Sequence, residues 1–168
     1  MIHVCSLARL HSTIVETGAR HVVTLLGVED EVVLPADVPV GNHLRLQVHD
    51  ITDPMDGYVI PQIEHVERLL HFVQRWRRDA PMVIHCYAGI SRSTAAAFAT
   101  VCALNPDRDE QLIAQALRRA SQTAYPNPRI IKIADHLLAR EGRMVAAVAG
   151  IGRGTIAAEG EPFRLDLE

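Results

Sequence analysis

The stretch His85-Cys86-Tyr87-Ala88-Gly89-Ile90-Ser91-Arg92-Ser93 brings a thiol, a glycine and a guanidinium into one short segment. The apolar run Met82-Val83-Ile84 before it has the character of a short buried strand, and the residues from Ser93 to Thr100 are good helix material. The segment is therefore a loop that ends where a helix begins. At such a point the first-turn N–H groups lack intrahelical partners and the helix dipole is positive, so an anion can be held without a metal. The same field favours the thiolate of Cys86, which is the nucleophilic form.

Each residue type in the loop has a physical purpose. Gly89 allows a positive φ or a close approach of backbone to ligand, so that successive N–H groups from Tyr87, Ala88, Gly89, Ile90, Ser91 and Arg92 can turn inward as a nest. Arg92 can offer a planar fork of donors to two phosphate oxygens and to the charge that gathers on them in a transition state. Ser93 can donate its hydroxyl to the Cys86 sulfur, or act as a plain N-terminal helix cap.

The pattern His-Cys-x-x-Gly-x-x-Arg-Ser/Thr resembles the signature of the cysteine-dependent protein tyrosine phosphatases, and Ala-Gly-Ile-Ser-Arg-Ser resembles their dual-specificity branch most closely. The resemblance is sharp over residues 85–93 and loose elsewhere over 1–142. It implies hydrolysis of a phosphate monoester, phosphotyrosine and also phosphoserine or phosphothreonine, through a phosphocysteine, with no metal or other cofactor. It also implies a general acid at the end of an upstream strand. Leu44, Leu46 and Val48 alternate with Arg45, Gln47 and His49, so a half-buried strand runs into Asp50, and Asp50 is the expected acid. Asp53 is the reserve candidate, while Asp53 and Asp56, before Pro and Gly, suit turns. For His85 the resemblance implies support, its imidazole bonding loop backbone; strand alternation points the ring away from Cys86. The other histidines, His43 and His49 included, lack metal-ligand spacing and are expected to be surface or packed groups.

Three other chemistries share parts of the pattern. A catalytically idle phospho-ligand-binding module would use the same nest and Arg92, but such modules usually lose the Cys or the acid. A thiolate-dependent sulfurtransferase would not need the acid. Arsenate reductases and low-molecular-weight phosphatases place Cys-x5-Arg near the N-terminus. Phosphoinositide phosphatases with this signature usually carry lysines in the loop, and here the variable positions are Tyr87, Ala88, Ile90 and Ser91.

The elements around the loop indicate an α/β domain with a central, mostly parallel sheet of about four to five strands flanked by helices. With 168 residues and 48% hydrophobic content the chain can bury a sizeable core. Strands are expected at Ile2–Cys5, His21–Leu26 and Leu44–Val48, and a helix over Leu10–Thr17 ending at Gly18. Pro61 opens a helix whose Ile63, Val66, Leu69, Leu70, Val73 and Trp76 form a core face. Asn105-Pro106 and Asn127-Pro128 each suggest a cap with Pro in the first turn. The helices that follow would carry Leu112, Ile113, Ala116 and Leu117, then Ile130 to Leu138 with a stop at Gly142. A catalytic domain over 1–148 and a tail or appended segment over 149–168 are expected, the latter as a loose tail, an edge strand or a partner arm.

The formal net charge of −3 leaves no basic stripe for nucleic acid or anionic membrane. The expected partner is a phosphorylated protein or small phosphate ester; the oligomeric state is left open. No signal peptide or bilayer-length apolar run is evident, and three cysteines suit a reducing, cytoplasmic setting. Cys102 lies roughly 16 Å along the signature helix, too far for a disulfide with Cys86. Cys5 is expected to be a buried strand residue.

Overall fold

Apolar β-branched runs that are buried on both faces make parallel strands, and parallel strands need helical crossovers. In the computed structural model, which describes residues 1–167, β1 (Ile2–Ser6), β2 (His21–Leu26), β3 (His43–Gln47) and β4 (Met82–Cys86) are mutually parallel. A short β5 (Phe163–Leu165) lies antiparallel along β1, and the strand order is β3-β2-β4-β1-β5. β4 is thus central, and its C-terminal end opens between β1 and β2.

The two faces of the sheet bury different sets of side chains. Cys5, Val22 and Val83 pack with Leu10 and Ile14 of α1 (Leu10–Thr17) on one face. Val4, Val23 and Ile84, one position away, pack on the other with α2 (Ile63–Gln74), α3 (Arg92–Leu104), α4 (Glu110–Ala120), α5 (Pro128–Leu137) and α6 (Arg143–Gly150). α3 runs through the middle of this second layer, and every residue from Arg92 to Cys102 is buried. Its alanine-rich sequence is what lets α2, α4 and α5 approach it closely. Among the described residues no helix is long and apolar enough to cross a membrane.

The expected strands and the α1 helix stand where the patterns put them, and four details differ. Asn105 does not cap α4: it closes α3, its Nδ2 donating to Val101 O at 2.8 Å, and the chain turns before Asp109 takes the N-cap. Asp109 Oδ1 accepts from the N–H groups of Gln111 and Leu112, which the Pro106 position could not arrange across an intervening turn. α5 ends at Leu137, well before Gly142, because Ala139 and Glu141 adopt positive φ. Gly142, with φ +87°, begins α6 instead. Its cap is remote: the Asp135 carboxylate on α5 accepts from the N–H groups of Gly142, Met144 and Val145. Ile63 and Leu112, placed on core faces by their spacing, sit at first turns and stay exposed, whereas Trp76 is buried beyond the end of α2 and donates its indole N–H to Ala80 O.

The segment after residue 148 is not loose. α6 runs across the expected boundary to Gly150, and the chain then returns to the sheet as β5, with Ile2 opposite Leu165 and Val4 opposite Phe163.

A buried ion pair joins the helical layer, with the half-exposed Arg143 at its edge, Nε to Glu110 Oε2 at 3.3 Å. Arg140 and Glu110 are both buried, with Nη1 to Oε1 at 2.7 Å, and the same guanidinium donates to the carbonyls of Pro106 and Cys102. These contacts satisfy the charge of Arg140 and cover the end of α3. Removing Glu110 leaves the buried charge of Arg140 without a counter-ion among the described residues. Glu110→Ala is therefore expected to lower unfolding free energy by about 3–5 kcal/mol, as read from urea denaturation at neutral pH.

Candidate active site

The parallel register places Ser6 beside Cys86 and Cys5 beside His85, so the end of β1 forms one wall of the loop that leaves β4. Gly89 sits against that wall. Its φ is +73°, and a Cβ there would lie 2.8 Å from the backbone of Cys5 and Ser6. Both reasons for a glycine, handedness and close approach, hold at this one position. Gly89→Ala is expected to displace the loop and to reduce phosphate-protected alkylation of Cys86 by at least about tenfold, a loss matching one or more ligand-facing hydrogen bonds.

The outward carbonyls of the loop are held by the scaffold. Tyr87 O accepts from Leu7 N–H at 3.0 Å, Ala88 O from Gly160 N–H at 2.9 Å, Ile90 O from Tyr125 N–H at 2.9 Å, and Ser91 O from Asn127 N–H at 3.2 Å. In a planar trans peptide the N–H points opposite to the carbonyl. The N–H groups of Ala88, Gly89, Ser91 and Arg92 are therefore turned to the concave side. Gly89 N–H lies 3.3 Å from the Cys86 sulfur.

Cys86 forms the floor and is 1% exposed. Ser93 Oγ is 3.1 Å from its sulfur, while the N-cap position of α3 is taken by Ser91 without a side-chain cap bond. Ser93 thus faces the thiol rather than capping its helix. Burial pushes the thiols of Cys5 and Cys102 up to about 12. Cys5 belongs to the opposite face of the sheet, packed with α1. All three cysteines are free.

Arg92 is buried at the rim. Its Nη1 donates to Val48 O at 2.9 Å, which ties the end of β3 to the loop, while its buried Nε has no hydrogen-bond partner among the described residues. A buried guanidinium donor without a protein partner is costly and suits an anion. Asp50 stands opposite. Its Oδ1 accepts from Ser91 Oγ at 2.7 Å and from Asn127 Nδ2 at 2.9 Å. Oδ2 makes no hydrogen bond among the described residues. Asp53 bonds only Thr52 next to it, and both it and Asp56 are exposed.

Two openings meet at this point. A cleft of about 670 Å³ runs past Asp50, Ala88, Ser91 and Asn127 to Ala157 and Ala158. A smaller one of about 300 Å³ lies between Tyr87, Tyr58, His49 and Arg92 and carries Glu29 and Asp30 on its wall. The larger cleft is mostly apolar and its charged side chains, Asp50 and Asp53, are acidic; the smaller sets Glu29, Asp30 and Asp50 against Arg92, and neither is lined by a lysine.

Several histidines around the site are packed, as the absence of ligand spacing suggested. His49 Nδ1 accepts from Val59 N–H at 2.8 Å, so its Nε2 carries the proton and donates to the Glu29 carboxylate at 3.0 Å. Together with His49 N–H to Val59 O, this closes the 49–59 loop that carries Asp50. His85 is held from across the sheet: its Nε2 meets Thr24 Oγ1 at 2.8 Å, and the same hydroxyl reaches His43 Nε2 at 2.9 Å. The Cys86 backbone beside the ring opposes the burial effect in part. Burial dominates and pushes the imidazole down to about 4.

That depression sets a pH dependence. Between the ordinary histidine value and about 4, the unfolded chain binds a proton at residue 85 and the folded chain does not. The contribution of neutral His85 is intact above that window and is lost as pH falls through it. Burial lowers His3, His21, His43 and His65 in the same direction. Denaturation titrations at pH 7 and pH 4.5 should show His85→Gln flattening the fall in stability by about 2–3 kcal/mol. An unaltered slope in that variant would place the proton uptake elsewhere.

Sequence spacing pointed to Cys86, Gly89, Arg92, Ser93 and Asp50, and the fold brings these five together. It did not point to Asn127 as a partner of Asp50, to Ser6, or to Arg129, whose Nε donates to Pro61 O and whose Nη1 donates to Thr52 O beside the acid loop. Asn127-Pro128 was legible only as a helix start. Nothing local signals a contact between residues 50 and 127.

The comparisons with known proteins follow the same lines. Residues 41–123 match the protein-tyrosine phosphatase family. Among solved structures, DUSP15 is 18% identical, with 89% of each chain covered and a TM-score of 0.63. PTPMT1 in complex with PI(5)P is 16% identical, covers 89% of this chain and 94% of its own, and has a TM-score of 0.64. Human DUSP28 is 17% identical, covers 83% and 89%, and has a TM-score of 0.61. At these identities the likeness is one of fold. Comparison with the curated proteins found no match.

Proposed function

We propose that the chain is a member of the cysteine-dependent protein tyrosine phosphatase superfamily and hydrolyses phosphate monoesters through a phosphocysteine formed on Cys86, a reading supported by the family match over residues 41–123 and by the shared fold. The observation that carries this reading is the sulfur held 3.1 Å from Ser93 Oγ and 3.3 Å from Gly89 N–H, beneath an Arg92 whose Nε has no partner among the described residues.

The Cys86 thiolate attacks phosphorus in line, and the inward N–H groups with the Arg92 fork stabilise the charge on the equatorial oxygens. Asp50 gives its proton, held on Oδ2, to the departing alkoxide or phenoxide as the P–O bond breaks. In the second step Asp50 takes a proton from water as the water oxygen attacks phosphorus. The S–P bond breaks, the thiolate returns to the Ser93 hydroxyl, and phosphate leaves. Phosphotyrosine on a protein is the favoured substrate, with phosphoserine and phosphothreonine within reach of the same chemistry. The free thiols suit a reducing cytoplasm. The carboxylates on the rims, Glu29, Asp30 and Asp53, disfavour an inositol ring bearing further phosphates.

Turnover of p-nitrophenyl phosphate and of a phosphotyrosine peptide tests the assignment. Cys86→Ser should abolish both activities, and Arg92→Lys should cost about 10²–10³-fold in kcat. Asp50→Asn should cost about 10²-fold or more on the peptide, less on the nitrophenyl ester, and should erase the basic limb of the kcat profile. Asp53→Asn should leave both intact. Vanadate binding without turnover would favour a binding module, sulfur transfer from thiosulfate to cyanide a sulfurtransferase, and preferred hydrolysis of PI(5)P a lipid substrate.

A further inference from the structure

Between Gly152 and Pro162 the chain is exposed except at one residue, Gly160. That residue is buried against the back of the catalytic loop. Its N–H donates to Ala88 O at 2.9 Å, and a Cβ on it would lie 3.0 Å from Gly89 O and 3.2 Å from Thr123 Oγ1. Next to it, the Glu159 carboxylate accepts from the hydroxyl of Ser6, a fully buried residue in register with Cys86. Ala157 and Ala158 line the larger cleft together with Asp50 and Ser91.

This strap is fastened at both ends. Upstream, Thr155 N–H donates to Gln122 O at 2.8 Å, and the Arg118 guanidinium gathers the carbonyls of Ser121, Gln122, Ala124, Ile151 and Gly152. Downstream, β5 is hydrogen-bonded to β1. The middle is thereby held against the loop rather than resting on it by chance.

The planar Ala88–Gly89 peptide transmits the contact. Holding its oxygen to Gly160 turns its N–H the other way, toward the Cys86 sulfur. We propose that Glu159 and Gly160 are positioning residues of the catalytic site, setting the Ala88–Gly89 peptide that faces the thiolate, and that Ala157 and Ala158 form a small apolar wall for the substrate. The strap lies outside residues 41–123 that carry the family match. Its effect on turnover rests on the phosphatase reading; its effect on the thiol does not.

The test is the pH dependence of Cys86 alkylation by iodoacetamide, followed at that residue by mass spectrometry, alongside kcat and KM for p-nitrophenyl phosphate. Gly160→Ala keeps the N–H but adds the crowding methyl, and Glu159→Ala removes the acceptor of Ser6. Each should slow alkylation at pH 6 about 3–10-fold and lower kcat about 3–10-fold, as expected when one hydrogen bond to a charged sulfur is misaligned. Glu159→Gln, whose amide oxygen still accepts, should restore most of the rate. Glu161→Gln, beside the strap contact and paired only with exposed Arg9, should behave as wild type. Unchanged alkylation profiles in Gly160→Ala and Glu159→Ala, whatever happens to their melting temperatures, would overturn the proposal. A wild type without turnover would sink the phosphatase reading instead, and the alkylation comparison would still decide the role of the strap.

Discussion

The site depends on the orientation of a few peptide planes. Four loop carbonyls accept hydrogen bonds from Leu7, Gly160, Tyr125 and Asn127, which come from the start of the chain, its end and the α4–α5 connection. Because a peptide cannot twist cheaply, fixing the oxygens behind aims the hydrogens in front. A concave row of donors is then present before any ligand arrives, and no reorganisation is needed when charge develops there. Gly89 is the point where this arrangement meets β1 at a distance that no side chain tolerates.

The sheet order explains why such distant segments can meet. β4 lies between β1 and β2, so the loop at its C-terminal end opens where neighbouring connections diverge, the usual place for a ligand in an open α/β sheet. β3 ends alongside and delivers Val48 O to Arg92 and Asp50 to Ser91. α5 delivers Asn127 from the other side. Asp50 is therefore positioned by hydrogen bonds from the loop it faces and from a helix start far along the chain, and the His49–Val59 pair closes the connection that carries it.

Local chemistry was legible wherever its partners are close in sequence. The Cys86–Ser93 contact spans one loop, and Asn127 caps α5 through its own next residues, Arg129 and Ile130. Alternation in Leu44, Leu46 and Val48 correctly gave the buried face of β3. The misread boundary between α5 and α6 has its cause in a cap supplied from outside the local pattern. Asp135 on α5 caps α6, so Gly142, which looks like a helix stop, is a helix start. His85 is similar: its neighbour in sequence is the nucleophile, yet its hydrogen bond goes across the sheet to Thr24.

What the order of residues settled was the reactive loop, its flanking strand and helix, and the side chains that can carry the chemistry, since these rest on propensity, spacing and the intrinsic reactivity of thiol, guanidinium and carboxylate. Tertiary packing alone decided which way the loop peptides face, that Asn127 holds Asp50 beside them, and that the last residues return as β5 and brace Ala88 through Gly160. Those outcomes depend largely on hydrogen bonds between backbone groups more than thirty and up to more than a hundred and fifty positions apart, from Ile90 with Tyr125 to β1 with β5. Every residue type but proline offers the same backbone donor and acceptor, so no local pattern distinguishes the partners.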